Sequence, residues 1–289
     1  MVRPEPTGSM KLARRVERGL GVGLMLLLSC LFIIPFVITL SDSLKSFIEI
    51  YRVPREWIPS PPRWDNYVQI FRVLPFHRFM INTVLITVLA LIGQISCACV
   101  VGYSFARLRW PFRDFFFIVL LSTIMLPPQV TMIPVFLLFN KLGWVNTWLP
   151  LIVPAYFGVG TVFGVFLMRQ FFKTIPLALE DAAKIDGCSH FRTLTTIMLP
   201  LAKPAIATIC VLSFIHYWND FMNPLIYLSG GDFRKYPISL GIWMFKTAEI
   251  MFPHYVMAAS LVSVVPVIIL FFSAQQYFVN GIVLSGIKG

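Results

Sequence analysis

Long apolar runs dominate this chain, and short polar segments separate them. A helix needs roughly 20 mostly apolar residues to cross a membrane. Six runs reach that length, and they cover approximately residues 19–40, 79–103, 115–139, 149–168, 205–228 and 256–279. The pattern predicts an all-α polytopic membrane protein with six transmembrane helices, in which a polar tail (residues 1–18) precedes a transmembrane domain (residues 19–289).

Composition also favours a membrane protein over a soluble one. Hydrophobic residues make up 57% of the 289 residues and charged residues only 13%, whereas about a quarter of a typical soluble domain is charged. The net charge of +11 does not indicate a nucleic-acid partner, because the lysines and arginines lie at the ends of the apolar runs.

Clusters of basic residues in short segments predict the topology, because such segments remain in the cytoplasm. The tail, the second-to-third connection and the fourth-to-fifth connection carry such clusters, whereas the third-to-fourth connection has only Lys141. We therefore expect these three segments and both termini in the cytoplasm. The basic residues concerned are Arg3, Lys11, Arg14, Arg15 and Arg18, then Arg107, Arg109 and Arg113, and finally Arg169, Lys173, Lys184 and Arg192.

Motifs for catalysis or nucleotide binding are missing from the sequence. It contains no HExxH, no GxSxG and no Walker-type glycine loop, and its four histidines are scattered. Cys97 and Cys99 form neither a CxxC motif nor a metal pair. We therefore expect no enzymatic chemistry, no cofactor, no metal and no structural disulfide in this chain.

The most distinctive polar segment lies between the fourth and fifth runs, at residues 169–200. Pro176 suits a first helical turn, Gly187 suits the left-handed position after a helix end, and Ser189 can cap a second helix. The segment therefore predicts a helix, a glycine turn and a second helix. The predicted apolar stripe is Ala178, Ala182 and Ile185, and the predicted charged face is Glu180, Asp181, Lys184, Asp186 and Arg192.

Two interpretations of this segment are equally compatible with its residues alone. It is either a helix that docks into the groove of a partner or an amphipathic helix that lies on the membrane or on its own bundle.

A family resemblance favours the docking helix. The spacing D-A-A-x-x-x-G-x9-I-x-L-P, which begins at Asp181 and ends at Pro200, resembles the EAA loop of permease subunits in binding-protein-dependent ABC importers. The resemblance covers nearly the whole chain, and it is closest to the smaller, six-span subunit of maltose, multiple-sugar and glycerol-phosphate permeases. Other similar stretches are Asn66-Tyr67, Asn82, residues 103–109 (YSFARLR), Leu142-Gly143, Asn146-Thr147, residues 218–221 (WNDF), Pro224-Leu225, residues 275–278 (QQYF), Gly281 and Lys288-Gly289.

The resemblance implies partners and roles. In such permeases the loop helix sits in a cleft of a cytoplasmic ATPase and transmits its closure to the spans. The implied partners in a prokaryotic cell membrane are two ATPase copies, which would bind ATP and Mg, a second permease subunit, an extracytoplasmic solute-binding protein and membrane lipid. The implied ATPase-coupling residues are Glu180, Asp181, Ala182, Ala183, Asp186 and Gly187.

Two positions depart from the family pattern. Asp181 stands where glutamate is usual, so the shorter side chain is expected to share its contact with Glu180. Phe112 stands in the short second-to-third connection, where a glycine is common.

Polar side chains inside apolar runs are candidates for the solute path, because a membrane span carries such groups at a cost. Their amides and carboxylate could accept hydrogen bonds from sugar hydroxyls, and aromatic rings could stack on a sugar. The alternative is that these groups tie helices together or face water. The candidates are Gln94, Tyr217, Trp218, Asn219, Asp220 and Asn223, of which Asp220 is the only acid placed within a run.

The sequence thus indicates half of the translocation path of a sugar or polyol importer that works by alternating access. A permease for a non-sugar solute is an alternative, because the coupling loop is shared widely. An ion-coupled secondary transporter is less favoured, because the chain shows no repeated halves and few buried charges. Pro127, Pro128 and Pro134 predict a break in the third span. The resemblance further implies that the loop at residues 229–255 meets the binding protein, as it does in relatives.

Overall fold

A computed structural model describes residues 8–228, 230–246 and 252–286, without the side chains of residues 8–16, 159 and 274–286. Within these residues the regular structure is helical and includes no strand. Short 3₁₀ turns cover Thr123–Met125 and Phe233–Lys235, and a π-helical turn covers Leu194–Met198. The α-helices are α1 (Gly8–Ser43), α2 (Phe47–Ile50), α3 (Asn66–Val73), α4 (Phe76–Arg107), α5 (Arg113–Ser122), α6 (Pro128–Lys141), α7 (Leu149–Ile152), α8 (Pro154–Phe157), α9 (Val159–Thr174), α10 (Leu177–Ile185), α11 (His190–Thr193), α12 (Leu199–Leu201), α13 (Lys203–Trp218), α14 (Met222–Leu228), α15 (Ile238–Met244) and α16 (Pro253–Gly286).

Four helical stretches of the described chain are long and apolar enough to cross a membrane. They are Glu17–Ser43, Phe76–Arg107, Leu149–Thr174 and Pro253–Ser273. Two further pairs of helices meet the same standard together but are bent, so the count rises to six if each bent pair is one span. The all-helical membrane architecture agrees with the sequence prediction.

The third apolar run is one of these bent pairs. Arg113–Met125 and Pro128–Lys141 meet at an angle of 97°. Leu126 is extended, with ψ of 119°, because the residue before a proline is disfavoured in the helical region. The predicted break therefore occurs at Pro127 and Pro128, whereas Pro134 lies inside α6.

The fifth apolar run departs from the prediction of a continuous span over residues 205–228. Helix α13 ends at Trp218 and α14 begins only at Met222. Asp220 therefore lies in a break between two helices, not within a helical span as the sequence predicted. At the other end of α13, His190–Leu201 and Lys203–Trp218 meet at 78°, where Pro204 enters the first turn of α13.

Two buried apolar clusters lie along α4. The Phe79 cluster contains Phe76, Phe79 and Ile86 of α4 with residues of α3, α15 and α16. The Met168 cluster contains Ala98 and Tyr103 of α4 with residues of α9 and α13. A Cβ atom added at Gly102 would lie 2.7 Å from the Cβ of Met168. Because small residues allow close helix crossings in membranes, the glycine explains why α4 and α9 pack so tightly.

Candidate functional site

The segment between α9 and α13 folds as a helix, a glycine turn and a second helix, as the sequence predicts. After α10, the N–H of Cys188 donates to the carbonyl of Ala183 (2.9 Å) and the N–H of Gly187 to that of Lys184 (3.0 Å). These two bonds form a Schellman motif, and Gly187 has the left-handed φ of +72° that the motif requires. Ser189 then accepts a hydrogen bond from the N–H of Arg192 and caps α11.

The segment exposes an apolar surface together with charge. Ile185 is 87% exposed and Phe191 is 69% exposed, and the rest of the predicted stripe, Ala178 and Ala182, is exposed as well. Asp181 lies on the same helix, with its carboxylate 3.7 Å from the Lys184 ammonium. Exposed apolar side chains next to charged ones are typical of an interaction surface. We call Leu177, Ala178, Asp181, Ala182, Ile185 and Phe191 the exposed face of the segment.

Glu180 does not belong to the charged face that the sequence predicted. It is 5% exposed and turns inward beside Ala183, which is 2% exposed. Its carboxylate Oε1 lies 3.3 Å from Nε of Arg107, the last residue of α4. A carboxylate placed inside a protein needs a cationic partner, and Arg107 is that partner. A shared outward contact of Asp181 and Glu180 is therefore incompatible with this arrangement.

Gln94 and Tyr217 approach each other across the backbone of Gly160. Gln94 is 3% exposed, and its side-chain Nε2 donates to the carbonyl of Gly160 at 2.8 Å. A Cβ atom at Gly160 would lie 3.7 Å from that Nε2 and 3.8 Å from the Tyr217 hydroxyl. The Gln94 Oε1 atom has no hydrogen-bond partner among the described residues. The arrangement therefore leaves an acceptor unused in the interior of the helix bundle.

Asp220 is held at the break between α13 and α14. Its carboxylate accepts hydrogen bonds from the side-chain amide of Asn223 (2.9 Å) and from its backbone N–H (3.2 Å). A small cleft brings Asp220 together with Tyr217 and with Thr83 of α4. The structure thus groups three of the predicted path residues, Tyr217, Asp220 and Asn223, at one end of α13.

Trp218 and Asn219 have other surroundings. Trp218 is 3% exposed, its ring stacks on Phe214, and its indole N–H donates to the carbonyl of Ser263 in α16. Its ring faces are covered, so it does not offer the stacking surface that the sequence suggested and instead ties α13 to α16. Asn219 is exposed, and its amide donates to the carbonyl of Ile215 in its own helix.

Polar side chains near the N-terminal end of α4 hold the loop that follows α14. The Asn82 amide donates to the carbonyls of Arg234 and Tyr236 at 2.8 and 2.9 Å. Thr83 accepts a hydrogen bond from the N–H of Ile238. Burial raises the pKa of Tyr236, and the carboxylate of Asp232 adds to that effect. These contacts hold part of the predicted binding-protein loop (residues 229–255), of which residues 229 and 247–251 lie outside the described chain.

A second polar cluster lies at the C-terminal end of α1. Asp42 is buried and pairs with Lys45 (2.9 Å) and with Arg55 (2.6 Å). The amide of Asn66 donates to the carbonyls of Ser43 and Lys45 at 2.8 and 2.9 Å. Sequence patterns assigned no role to Asp42, Lys45 or Thr83, because single charges and hydroxyls at helix ends are common. Asn66 and Asn82 were noted in the sequence only because they lie in stretches similar to the family.

The described residues contain no candidate metal site and no disulfide. Across residues 8–228, 230–246 and 252–286, no three His, Cys, Asp or Glu side chains group as metal ligands. The five cysteines are free thiols. The similar stretch at residues 275–278 lies on α16 without described side chains, and Lys288 and Gly289 lie outside the described residues.

A bundle of apolar helices with an exposed helix–glycine–helix segment defines a multi-pass membrane protein. Comparison with known families then identifies it: the chain belongs to the family described as binding-protein-dependent transport system inner membrane component, whose model matches residues 94–283. The chain is therefore a transport subunit of the membrane and not an enzyme.

Curated relatives match between 80% and 92% of the chain. The arabinooligosaccharides transport system permease protein AraQ of Halalkalibacterium halodurans is 33% identical over 80% of this chain and 81% of its own length. The sulfoquinovosyl glycerol transport system permease protein SmoH of Agrobacterium fabrum is 31% identical over 92% of this chain and 91% of its own. The sn-glycerol-3-phosphate transport system permease protein UgpE of Yersinia pestis is 27% identical over 91% of this chain and 93% of its own length.

A solved structure shares the fold. The chain superposes with a TM-score of 0.79 on a chain from a bacterial ABC transporter involved in the import of the acidic polysaccharide alginate. The match covers 96% of this chain and 100% of the other at 24% identity. The fold is therefore that of an ABC importer permease chain.

Proposed function

We propose that this chain forms half of the translocation path of an ABC importer for a sugar or a related polyol. The observation that carries the proposal is the exposed face of α10 and α11. The chain that bears this face belongs to a family of binding-protein-dependent transport components. The relatives named above carry arabinooligosaccharides, sulfoquinovosyl glycerol and glycerol phosphate in their names. Each of these solutes has at least two hydroxyl groups, which supports a polyhydroxylated solute for this chain.

The proposed topology has six spans and both termini in the cytoplasm. Arg113–Met125 and Pro128–Lys141 together are counted as one span, and α13 with α14 as the fifth, so that His190–Leu201 stays in the coupling loop. The transmembrane domain over residues 19–289 then follows a cytoplasmic tail over residues 1–18. The coupling loop at residues 169–200 is then cytoplasmic, as are the basic connections beside it. Its short helices are the proposed EAA helix pair.

The exposed face is the proposed contact with a cytoplasmic ATPase. Asp181, Ala182 and Asp186 are exposed and available to that partner, and Gly187 sets the angle between the two helices. Ala183 is buried, so its role is to let α10 lie closely against its own bundle. Each of two permease chains would receive one ATPase copy, and closure of the ATPase pair would switch the path between outward-facing and inward-facing states. ATP and Mg are assigned to the ATPase.

The proposed solute path runs past α4 and α13. Gln94 contributes its unused acceptor, while Tyr217, Asp220 and Asn223 lie at the end of α13. Asn219 is exposed beside them, and Trp218 keeps this end of α13 against α16. A second permease chain would complete the path, and an extracytoplasmic solute-binding protein would deliver the solute.

Co-purification from the native membrane tests the proposal. The tagged chain is isolated in mild detergent, and its partners are identified by mass spectrometry. We expect an ATPase, a second permease and a solute-binding protein, and the last of these is then tested for binding to sugars, polyols and amino acids. The chain alone, without an ATPase, would contradict the proposal and favour a gradient-driven transporter. A binding protein that selects amino acids would favour a permease for another solute.

A further inference from the structure

Arg107 connects three helices at one end of the bundle. It is the last residue of α4, and its Nη2 donates to the carbonyl of Phe172 (2.5 Å) and to that of Ile175. Both carbonyls lie where α9 ends, and the last carbonyls of a helix lack partners within it. Through Nε, the same guanidinium lies 3.3 Å from Glu180 in the first turn of α10.

The contact between Arg107 and Glu180 is shielded from water on both sides. The two side chains are 5% and 7% exposed. An exposed ion pair contributes little, because water screens it and both side chains remain mobile. A buried pair is different, because removal of one partner leaves the other as an uncompensated charge inside the protein. Nε and Oε1 form an ion pair without a hydrogen bond between them, so charge couples α10 to the end of α4, and loss of either partner would be costly.

Helix α4 is an unbroken connection between Arg107 and the proposed path. It runs without a break from Phe76 to Arg107 and contains no proline. At 1.5 Å per residue, Arg107 lies about 20 Å along the axis from Gln94 and about 36 Å from Thr83. By contrast, the covalent route from α11 into α13 passes through a π-helical turn and a 78° bend.

We propose that the Arg107–Glu180 pair is the joint through which movement of α10 reaches α4, and with it the positions of Gln94 and Thr83. Arg107 is then a positioning residue for transport, and this gives a role to the YSFARLR stretch that contains it. Glu180 serves this joint from inside the segment, while Asp181 faces the partner. The inference rests on the proposed function, because it specifies how the ATPase contact acts on the path.

Reconstitution of the whole transporter with its ATPase, second permease and binding protein tests the joint. ATP hydrolysis and solute transport are measured in the same vesicles for the wild type, Glu180→Gln, Arg107→Lys and Glu56→Gln. Glu180→Gln keeps the side-chain shape but removes the charge. The control Glu56→Gln makes the same chemical change in an ion pair with Arg52 whose side chains are 58% and 41% exposed.

We expect Glu180→Gln to assemble and hydrolyse ATP, while solute moved per ATP falls by about tenfold, within the usual range of coupling between two sites. Arg107→Lys keeps the charge but loses the planar fork that reaches two carbonyls, so its ratio should be intermediate. Glu56→Gln should have the wild-type ratio. These results would support a joint, because a general loss of folding lowers the amount of complex and both activities together.

The inference fails if Glu180→Gln keeps the wild-type ratio of transport to hydrolysis. If Glu180→Gln does not fold, the double variant Arg107→Gln/Glu180→Gln replaces it, because this variant leaves no unpaired buried charge. A wild-type ratio in the double variant likewise overturns the joint, and a loss of transport with continued hydrolysis supports it. Absence of any wild-type complex with an ATPase would instead contradict the proposed function itself.

Discussion

Two glycine turns in this protein have the same backbone geometry and very different surroundings. Gly143 follows α6 with φ of +70°, and Gly187 follows α10 with φ of +72°. Both carry the paired bonds of a Schellman motif: the N–H of Trp144 donates to Phe139, and that of Cys188 donates to Ala183, each at 2.9 Å. The turn itself is thus a common building element.

The chain after Gly143 is tied into the protein. Asn146 donates its N–H to the carbonyl of Tyr227, Lys235 donates to the carbonyl of Asn146, and Trp148 donates to the carbonyl of Lys235. Around Gly187 the chain instead presents Ile185 and Phe191 to the outside. The turn at Gly143 is therefore followed by internal hydrogen bonds, whereas the turn at Gly187 is flanked by exposed apolar side chains. The difference lies in the neighbours, and it supports the proposed partner surface around Gly187.

The largest expected effect on stability follows removal of the arginine that holds the Gly187 region. Arg107→Ala leaves Glu180 buried without a cation, so we expect the free energy of unfolding to fall by about 3–5 kcal/mol. Unfolding of the purified chain in detergent measures the change. Arg52→Ala breaks an exposed ion pair that water screens, so it should leave the free energy of unfolding nearly unchanged. Equal losses in both variants would contradict the account.

Asn82 holds the loop beside the Gly143 region by neutral hydrogen bonds, so the loss of these bonds should cost less than the loss of Arg107. Asn82→Ala leaves the carbonyls of Arg234 and Tyr236 without their donor, and we expect a loss of about 1–3 kcal/mol in the free energy of unfolding. Asn219→Ala removes an exposed amide that donates to Ile215 four residues earlier, and it should leave the free energy of unfolding nearly unchanged. An Asn82→Ala variant as stable as Asn219→Ala would show that the Asn82 contacts are unimportant.

The two glycines should be equally sensitive to a β-branched side chain. Neither Gly143 nor Gly187 has an atom within 4 Å of an added Cβ, so the cost is backbone strain alone. We expect Gly143→Val and Gly187→Val each to lose about 1–2 kcal/mol in the free energy of unfolding. The same unfolding assay compares them. A much larger loss at Gly187 would mean that its surface is not open.

A third left-handed residue is expected to show the smallest effect, with the opposite sign. Phe112 has φ of +60° and is 75% exposed. Phe112→Gly relieves the strain but adds freedom to the unfolded chain, so we expect a net gain below about 1 kcal/mol. Phe112→Ala keeps the positive φ with a Cβ and should gain nothing. A clear loss in Phe112→Gly would show that the exposed ring stabilises the chain.

Sequence patterns predicted the helical class, the break at Pro127 and the turn at Gly187, because all three follow from local chemistry. Apolar length defines a span, proline removes a helical hydrogen bond, and a left-handed residue after a helix favours glycine. The family resemblance indicated that Phe112 stands where a glycine is common. Phe112 has a positive φ, which favours glycine and explains that preference.

Contacts between distant residues could not be predicted in the same way. The inward turn of Glu180 depends on Arg107, which lies 73 positions earlier in the chain. Likewise, Trp218 is covered because α16 packs beside it and accepts its N–H. Periodicity assigns a residue to a helix face, but it does not tell which neighbour that face meets.

The central claim is that the exposed segment around Gly187 couples ATP hydrolysis to solute movement. Uptake by membrane vesicles that carry Gly187→Val tests it most directly, with Gly143→Val as the control of equal backbone strain. We expect Gly187→Val to insert into the membrane and to lose uptake while ATP hydrolysis continues, whereas Gly143→Val keeps both. Wild-type uptake in Gly187→Val, or an equal loss in the two variants, would contradict the claim.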